Sequence, residues 1–484
     1  MITFLTCIAL LVGAYFIYGN FVEKHFGADE NRPTPAITKQ DGVDYVPLKR
    51  WKIFLIQFLN IAGLGPIFGA ISGALWGPVA FLWIVFGCIF AGAVHDYFSG
   101  MLSIRHDGAS IPEIVGKYLG LGMKQFMRIF SVVLLILVGV VFVKGPATIL
   151  NGLVDIEIPI LLAVIFLYYI LATMIPIDKL IGKIYPVFGI SLIIMAVGLL
   201  INLLMGTYEI PELTTGSFTN MHTSPEKFPV FPMLFITIAC GAISGFHSTQ
   251  SPLMARCMSN EKEGKVIFFG AMITEGIVAL IWAAAAMAFF GGVSQLGETM
   301  AEEGHNAAWV VNIICNTMLG RVGGVLAIFG VVAAPITSGD TAFRSVRIMV
   351  ADAFNYKQDT IKSRIIVTIP IFIVALLLTQ INFQIIWRYF GWSNQVLATI
   401  VLWTIVVYLH QQAKSVLLVL VPAMFMTVVV VTFIFVSPEG FGLDYNLSLG
   451  IGVAASLILL ILFNRYTKKS GAIEEEQSEK VIEG

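Results

Sequence analysis

Four titratable side chains stand inside long apolar runs: His95 and Asp96 in Gly-Ala-Val-His-Asp-Tyr, His247 in Ser-Gly-Phe-His-Ser-Thr-Gln, and Glu275 in Met-Ile-Thr-Glu-Gly-Ile-Val. An ionisable group deep in an apolar span costs about 2.5–3.5 kcal/mol on insertion scales, so such groups face a cavity or a partner. Glu275 has no basic residue within a helical turn. It therefore holds a proton or finds a partner on another helix, with a buried ion pair to Lys144, Arg321 or Arg388 as the structural alternative. A neutral imidazole at His247 suits ligand binding or, because it titrates near neutrality, a proton-coupled step; a satisfied core histidine is the plainer account. His95 and Asp96 are adjacent, about 100° apart around a helix, which leads us to expect two separate neighbours for them and no dyad. Glu275, His95 and Asp96 are thus the candidates for handling a proton.

A second chemistry is that of hard oxygens. Thr337, Ser338 and Thr341 in Pro335-Ile-Thr-Ser-Gly-Asp-Thr-Ala-Phe-Arg344 suit a small cation such as Na⁺, alongside any backbone carbonyl freed near Ala62. Asp340 and Arg344 in the same stretch stand at i and i+4, the spacing of a helix-surface ion pair. Two cations are candidates for gripping a carboxylate: Lys144, before Gly145 and Pro146, and Arg388, in Trp387-Arg388-Tyr-Phe-Gly-Trp-Ser-Asn-Gln395. Either could equally snorkel to a membrane interface. Ser244 and Gln250 add polar groups beside His247.

Other chemistries lack support. There is no P-loop, no H-E-x-x-H and no G-x-S-x-G, and the five cysteines show no C-x-x-C spacing. Neither a disulfide framework nor a thiolate metal site is indicated, and the expected cofactors are none beyond a coupling ion, H⁺ or Na⁺. A net charge of −1 gives no electrostatic reason to expect nucleic acid.

The elements that must position these groups are membrane helices. Charged residues make up only 12% and hydrophobic ones 57% of the 484, with a mean hydropathy of +0.87. Apolar segments of spanning length follow one another from Ile2 to Phe463, and thirteen spans are expected. The first lacks a basic n-region and a small-residue cleavage site, so it reads as a retained helix. Of the 29 Lys and Arg, 25 fall on one side of such a topology, leaving Lys144, Lys227, Arg321 and Arg388 on the other. The positive-inside rule then places the N-terminus outside and the C-terminus in the cytoplasm.

Two spans interrupt their own apolar pattern. One does so at Asn60, Gly63, Gly65, Pro66 and Gly69, the other at Gly241, Ser244, Gly245, His247 and Pro252, and Gly-Ala-Ile-Ser-Gly occurs in both, at 69–73 and 241–245. Setting the first helix aside, each break opens a set of five spans, and an odd number per set inverts the second relative to the first. Broken helices at matching places in inverted repeats are the sequence pointer to a carrier's binding site. That makes Gly63, Gly65, Pro66, Ser244, His247 and Gln250, with Lys144 and Arg388, the candidate ligand-binding residues. The organisation expected is a first helix and connector (1–50), a first five-helix set (51–208), an external loop (209–230), a second set (231–410), two peripheral helices (411–466) and a disordered cytoplasmic tail (467–484).

At these motifs the chain resembles the carbon starvation protein A family. The matching stretches are Ile61-Ala-Gly-Leu-Gly-Pro66, Gly92-Ala-Val-His-Asp96, Ser103-Ile-Arg-His-Asp-Gly-Ala-Ser110, Ser244-Gly-Phe-His-Ser-Thr-Gln250, Thr337-Ser-Gly-Asp-Thr-Ala-Phe-Arg344 and Trp387-Arg-Tyr-Phe-Gly-Trp-Ser-Asn-Gln395. The resemblance implies an all-α polytopic transporter of the cytoplasmic membrane, related to the amino-acid/polyamine/organocation superfamily. Its core would be a LeuT-like 5+5 inverted repeat, with one additional N-terminal and two additional C-terminal helices. It also implies uptake of short peptides or of pyruvate under nutrient limitation. The chain is shorter than the long members of that family, lacking much of their extra external and C-terminal sequence.

Overall fold

The computed structural model describes residues 1–42, 44–151, 154, 156–173, 177–358 and 360–482. Regular structure among them is entirely helical. In chain order the main elements are α1 (Ile2–Phe26), α2 (Arg50–Ile61), α3 (Gly65–Trp76), α4 (Val79–Arg105), α5 (Ile111–Leu119), α6 (Leu121–Asn151), α7 (Ile158–Ala172) and α8 (Ile177–Leu204). There follow α9 (Phe235–Thr237), α10 (Gly245–Ala255), α11 (Glu261–Phe289), α12 (Ala307–Met318), α13 (Gly323–Ala353), α14 (Ile361–Leu378), α15 (Phe383–Gln411), α16 (Leu417–Val436) and α17 (Tyr445–Ile482).

Among the described residues ten helices are long and apolar enough to cross a membrane, and the bent pair α2 and α3 makes an eleventh crossing. The remaining two expected spans are α7, which is short, and the stretch 230–255, which is interrupted. The chain is a multi-pass membrane protein.

Both breaks fall where Gly and Pro stand in the sequence. Helix α2 ends at Ala62 (φ −83°, ψ 42°), the chain resumes at Gly65-Pro66, and the two halves meet at 51°. Pro66 has no N–H to give to a continuing ladder, which is why the helix cannot run through. In the second break α9 stops at Ile238 (φ −94°, ψ 74°), and α10 begins after Ser244, which is extended (φ −144°, ψ 124°).

The two sets interlock. Helix α2 packs on α10, α11 and α13 of the second set, α4 packs on α10, and α6 lies along α13 and α15. Burial separates core from rim: 83% of the apolar window of α11 is buried, against 22% for α1 and α17, which leave rows of large apolar side chains outward. In a bilayer those rows face lipid.

The two faces of the bundle differ in charge. On one, Arg105 donates to Glu261 (2.8 Å), Glu261 also accepts from the Asp29 amide, and Lys414 donates to the Phe26 carbonyl. On the other, the amides of Ile2 and Thr3 donate to Glu212, so the start of α1 lies beside the 209–230 loop. At the far end, α17 continues as helix through Ile482, where disorder is expected from the paucity of apolar residues. Ala, Glu, Gln and Lys in Gly471–Ile482 are strong helix formers, and they extend a helix already nucleated in the apolar segment.

Candidate functional site

The two breaks touch. A Cβ at Gly65 would lie 2.3 Å from Cβ and Sγ of Cys240, one at Gly69 2.9 Å from the Thr237 carbonyl, and one at Gly241 2.5 Å from the Ala279 Cβ. Only glycine lets the interrupted segments pass this close.

At the second break the titratable residues come together. Nδ1 of His95 is 2.8 Å from Asp96 Oδ1, and Nδ1 of His247 is 2.8 Å from Asp96 Oδ2, with all three side chains fully buried. The expectation of separate neighbours for His95 and Asp96 is therefore corrected. The two rings share one carboxylate, because side chains reach around a helix further than the angle between their Cα–Cβ bonds suggests. A carboxylate bridging the two rings takes up Nδ1 of each and leaves both Nε2 atoms for other partners. Nε2 of His247 lies 3.4 Å from Glu275 Oε2. A bare ring nitrogen facing a bare carboxylate would repel it, so one proton belongs to this Glu275–His247 contact. Apart from that contact, neither Glu275 oxygen nor Nε2 of His95 or His247 has a hydrogen-bond partner.

Lys144 and Arg388 do not reach Glu275. Lys144 donates to the carbonyls of Thr379 (2.9 Å) and Ile381 (2.6 Å), just past the end of α14. That engagement corrects its assignment as a ligand-binding cation: orphan carbonyls at a helix C-terminus are a ready partner for an ammonium. Arg388 pairs with Glu439 at 2.5 Å. The side chain of Arg321 lies outside the described residues.

The hydroxyls of the second set are engaged locally. Ser248 donates to the Gly245 carbonyl, Thr249 to that of Phe246, and Gln250 Nε2 to Thr249, leaving Gln250 Oε1 without a partner. Thr337 donates to the Ala334 carbonyl (2.6 Å) and Thr341 to that of Ser338 (3.0 Å). Ser338 reaches across to the Leu59 carbonyl (3.0 Å), three residues before Ala62, and a Cβ on Gly63 would lie 3.4 Å from its Oγ. The oxygen-bearing turn of α13 thus faces the first break, as its sequence suggests. Asp340 accepts from Tyr185 (2.5 Å), and Arg344 donates to the Ala172 carbonyl (2.8 Å).

Three groupings escaped the sequence reading, which took Asn60 only as a mark of the first break. Gln57 and Asn60, one turn apart on α2, are fully buried with all four amide atoms unpartnered. Their signal is two amides at i and i+3 in an apolar run. Asn394 and Gln395 on α15 bind the second break from outside it. Cys240 Sγ, a ring nitrogen of His247 and a Glu275 oxygen lie within 4.8 Å of one another, a donor set that would suit a borderline-soft divalent cation. The thiol, however, is also 3.6 Å from both Ser244 Oγ and Asn394 Nδ2.

A cavity of 1120 Å³ leads to this region. Its lining includes His222, Glu226, Lys227, His305 and Glu439, the side chains of Trp76, Trp387 and Arg388, and Gly65, Gly145, Ala239 and Cys240. The lining runs from the 209–230 loop, beside which α1 starts, to both breaks.

Comparison with known proteins fits this geometry. The family described as carbon starvation protein CstA matches residues 1–151, 146–320 and 291–433. The chain belongs to this family. An uncharacterized membrane protein of Haemophilus influenzae is 45% identical over 350 residues, covering 62% of this chain and 94% of that one. A protein of Bacillus subtilis named peptide transporter CstA is 26% identical over 86% of this chain and 87% of its own length. The pyruvate/proton symporter BtsT of Escherichia coli is 28% identical over 57% of this chain and 47% of its own, so the match spans about half of that longer relative.

Among solved structures, a Na⁺-coupled sialic acid symporter in its substrate-bound outward-open state matches 95% of this CstA-family chain and 96% of its own. Its TM-score is 0.53 at 13% identity. A manganese transporter of Eremococcus coleocola matches 88% and 97%, with a TM-score of 0.51 at 14% identity. At such identities these matches speak for the fold, which is the LeuT-like arrangement of two inverted five-helix sets.

Proposed function

We propose that this CstA-family protein is a secondary carrier that imports a small carboxylate-bearing nutrient across the cytoplasmic membrane, a short peptide first and pyruvate second. The carrying observation is the cavity that ends on two touching helix breaks. Half-helix N-termini stabilise a carboxylate there without burial of a full cation. With the basic face cytoplasmic and the cavity mouth external, the cavity is the entry route of an importer.

The proton of the Glu275–His247 contact is the coupling proton in this reading, with Asp96 and His95 fixing the imidazole that exchanges it. Ser338, Thr337 and Thr341, with carbonyls around Ala62, are the competing Na⁺ route. The relatives' names, a peptide transporter and a pyruvate/proton symporter, support the substrate class and favour the proton.

The test is uptake of radiolabelled pyruvate and of dialanine by proteoliposomes, with a pH gradient or a Na⁺ gradient imposed separately. Accumulation above equilibrium under one gradient supports the proposal. Binding without accumulation under either would make the protein a receptor and sink it.

A further inference from the structure

Breaking a helix exposes amide N–H groups on one side of the gap and carbonyls on the other. Helix α10 starts at Gly245, and its own N-cap residue, Ser244, makes no side-chain cap. The cap comes from a distant helix: Asn394 Oδ1 accepts from the Phe246 amide at 2.6 Å, and its Nδ2 donates to Ser244 Oγ at 2.9 Å. Its neighbour Gln395 serves the opposite end, donating from Nε2 to the Phe235 carbonyl at 3.3 Å. Two adjacent amides of α15 thus hold both halves of one broken helix. Helix α15 also approaches within backbone contact, since a Cβ on Gly245 would lie 2.4 Å from the Asn394 carbonyl oxygen.

The place Asn394 occupies is the one the transport reading assigns to cargo. It lies behind Cys240 of the cavity lining, whose thiol is 3.6 Å from both Asn394 Nδ2 and Ser244 Oγ. The surroundings hold polar capacity that the protein does not use: Gln395 is fully buried and its Oε1 has no hydrogen-bond partner. A primary amide presents a planar carbonyl oxygen in the position of a carboxylate oxygen, but without the charge that the N-terminus of a helix favours. A carboxylate arriving from the cavity is therefore a better ligand for the same N–H than the amide already there.

We propose that Asn394 is a stand-in for the cargo carboxylate. Its side chain caps α10 while the carrier is empty and is displaced when substrate binds, releasing α15 from the break. Asn394 is a positioning residue on this view, and its exchange sets both affinity and the coupling of occupancy to movement of α15. The inference rests on the transport reading, and the experiment separates the two.

A plain structural cap and a displaceable one predict opposite orders of affinity. If Asn394 competes with cargo, Asn394→Ala lowers the KM for pyruvate or dialanine uptake by about threefold or more. Asn394→Asp, which places a permanent anion on the same N–H, raises it about tenfold. If it only supports the helix, Asp serves as well as Asn, and Ala raises KM. Asn394→Ser is run beside Asn394→Ala in case the alanine variant does not fold, with size-exclusion profile and thermal unfolding recorded for all. A KM order of Ala or Ser below wild type below Asp supports the stand-in. Wild-type uptake with the order reversed or flat overturns it and leaves the transport reading intact. No uptake of either compound by the wild type overturns both.

Discussion

The two breaks share a geometry and divide the chemistry. At the first, around Ala62 to Pro66, the groups turned to the break are the Gln57 and Asn60 amides, buried and unpartnered, and the Ser338 hydroxyl on the Leu59 carbonyl, while Asp340 of the same α13 turn is engaged by Tyr185. At the second, around Ile238 to Ser244, they are titratable: His247 joined to Asp96 and His95 on one side and to Glu275 on the other. Neutral oxygens can coordinate a cation or bond a ligand, but they cannot take up and release a proton near neutrality. Imidazole and carboxylate can. On the proposed reading proton exchange belongs to the second break and ligand or Na⁺ to the first, and each half of that reading is breakable alone.

The largest effect is expected from Glu275→Gln. The amide keeps the shape but fixes its hydrogens, so pH-driven accumulation in proteoliposomes is abolished while exchange of labelled for unlabelled substrate persists. Full pH-driven accumulation by the variant would remove Glu275 from coupling and erase the contrast between the breaks. Next comes Gly65→Ala, whose added methyl meets Cys240 at 2.3 Å, where the breaks touch. Overpacking of this kind costs about 1–3 kcal/mol. Thermal unfolding in detergent should fall accordingly, and Cys240→Gly should restore part of it. Gly63→Ala meets the Phe142 ring at 2.8 Å and the Ser338 hydroxyl at an ordinary 3.4 Å, and should cost less because a ring edge can yield. Equal losses would mean that contact between the breaks has no special weight. Smaller again is the effect of exchanging Na⁺ for choline. On the proton reading uptake is unchanged, whereas a several-fold fall that Ser338→Ala abolishes would move coupling to the first break.

How much of this was legible beforehand follows from the range of the interactions. Both breaks could be read because Gly63, Gly65, Pro66 and Gly245 act on their own backbone, and local backbone chemistry is written locally. Ser338 could be matched to the first break by its oxygen-bearing turn. Asn394, by contrast, is 148 residues from the amide that it caps, and nothing in Trp-Ser-Asn-Gln marks one end of another helix. The Cys240, His247 and Glu275 grouping was invisible for the same reason, since two members straddle a break and the third lies on the next helix. Lys144 misled because an ammonium near a span end looks the same whether it serves a ligand or, as here, the carbonyls of Thr379 and Ile381.

The smallest prediction supplies the control that the proton comparison needs. Any pH-dependent uptake could be a pH-dependent fold, so an ion pair remote from both breaks should be titrated separately. Glu113 on α5 is such a group. Burial pushes its carboxyl up, but hydrogen bonds from Lys124 and Arg128 outweigh that and hold it below the ordinary glutamate value. A carboxyl depressed in the folded state contributes stability that is complete above its unfolded value, about 4.3, and is lost as pH falls through the lower folded value. Glu113 is about one-third exposed (32%), so the contribution is about 0.5–1 kcal/mol. Glu113→Gln should therefore lower the unfolding temperature slightly and equally at pH 6 and pH 8, and leave the pH profile of uptake in place. If the variant shifts that profile between pH 5 and 8, the dependence belongs to the fold, and the second break loses its claim to the proton.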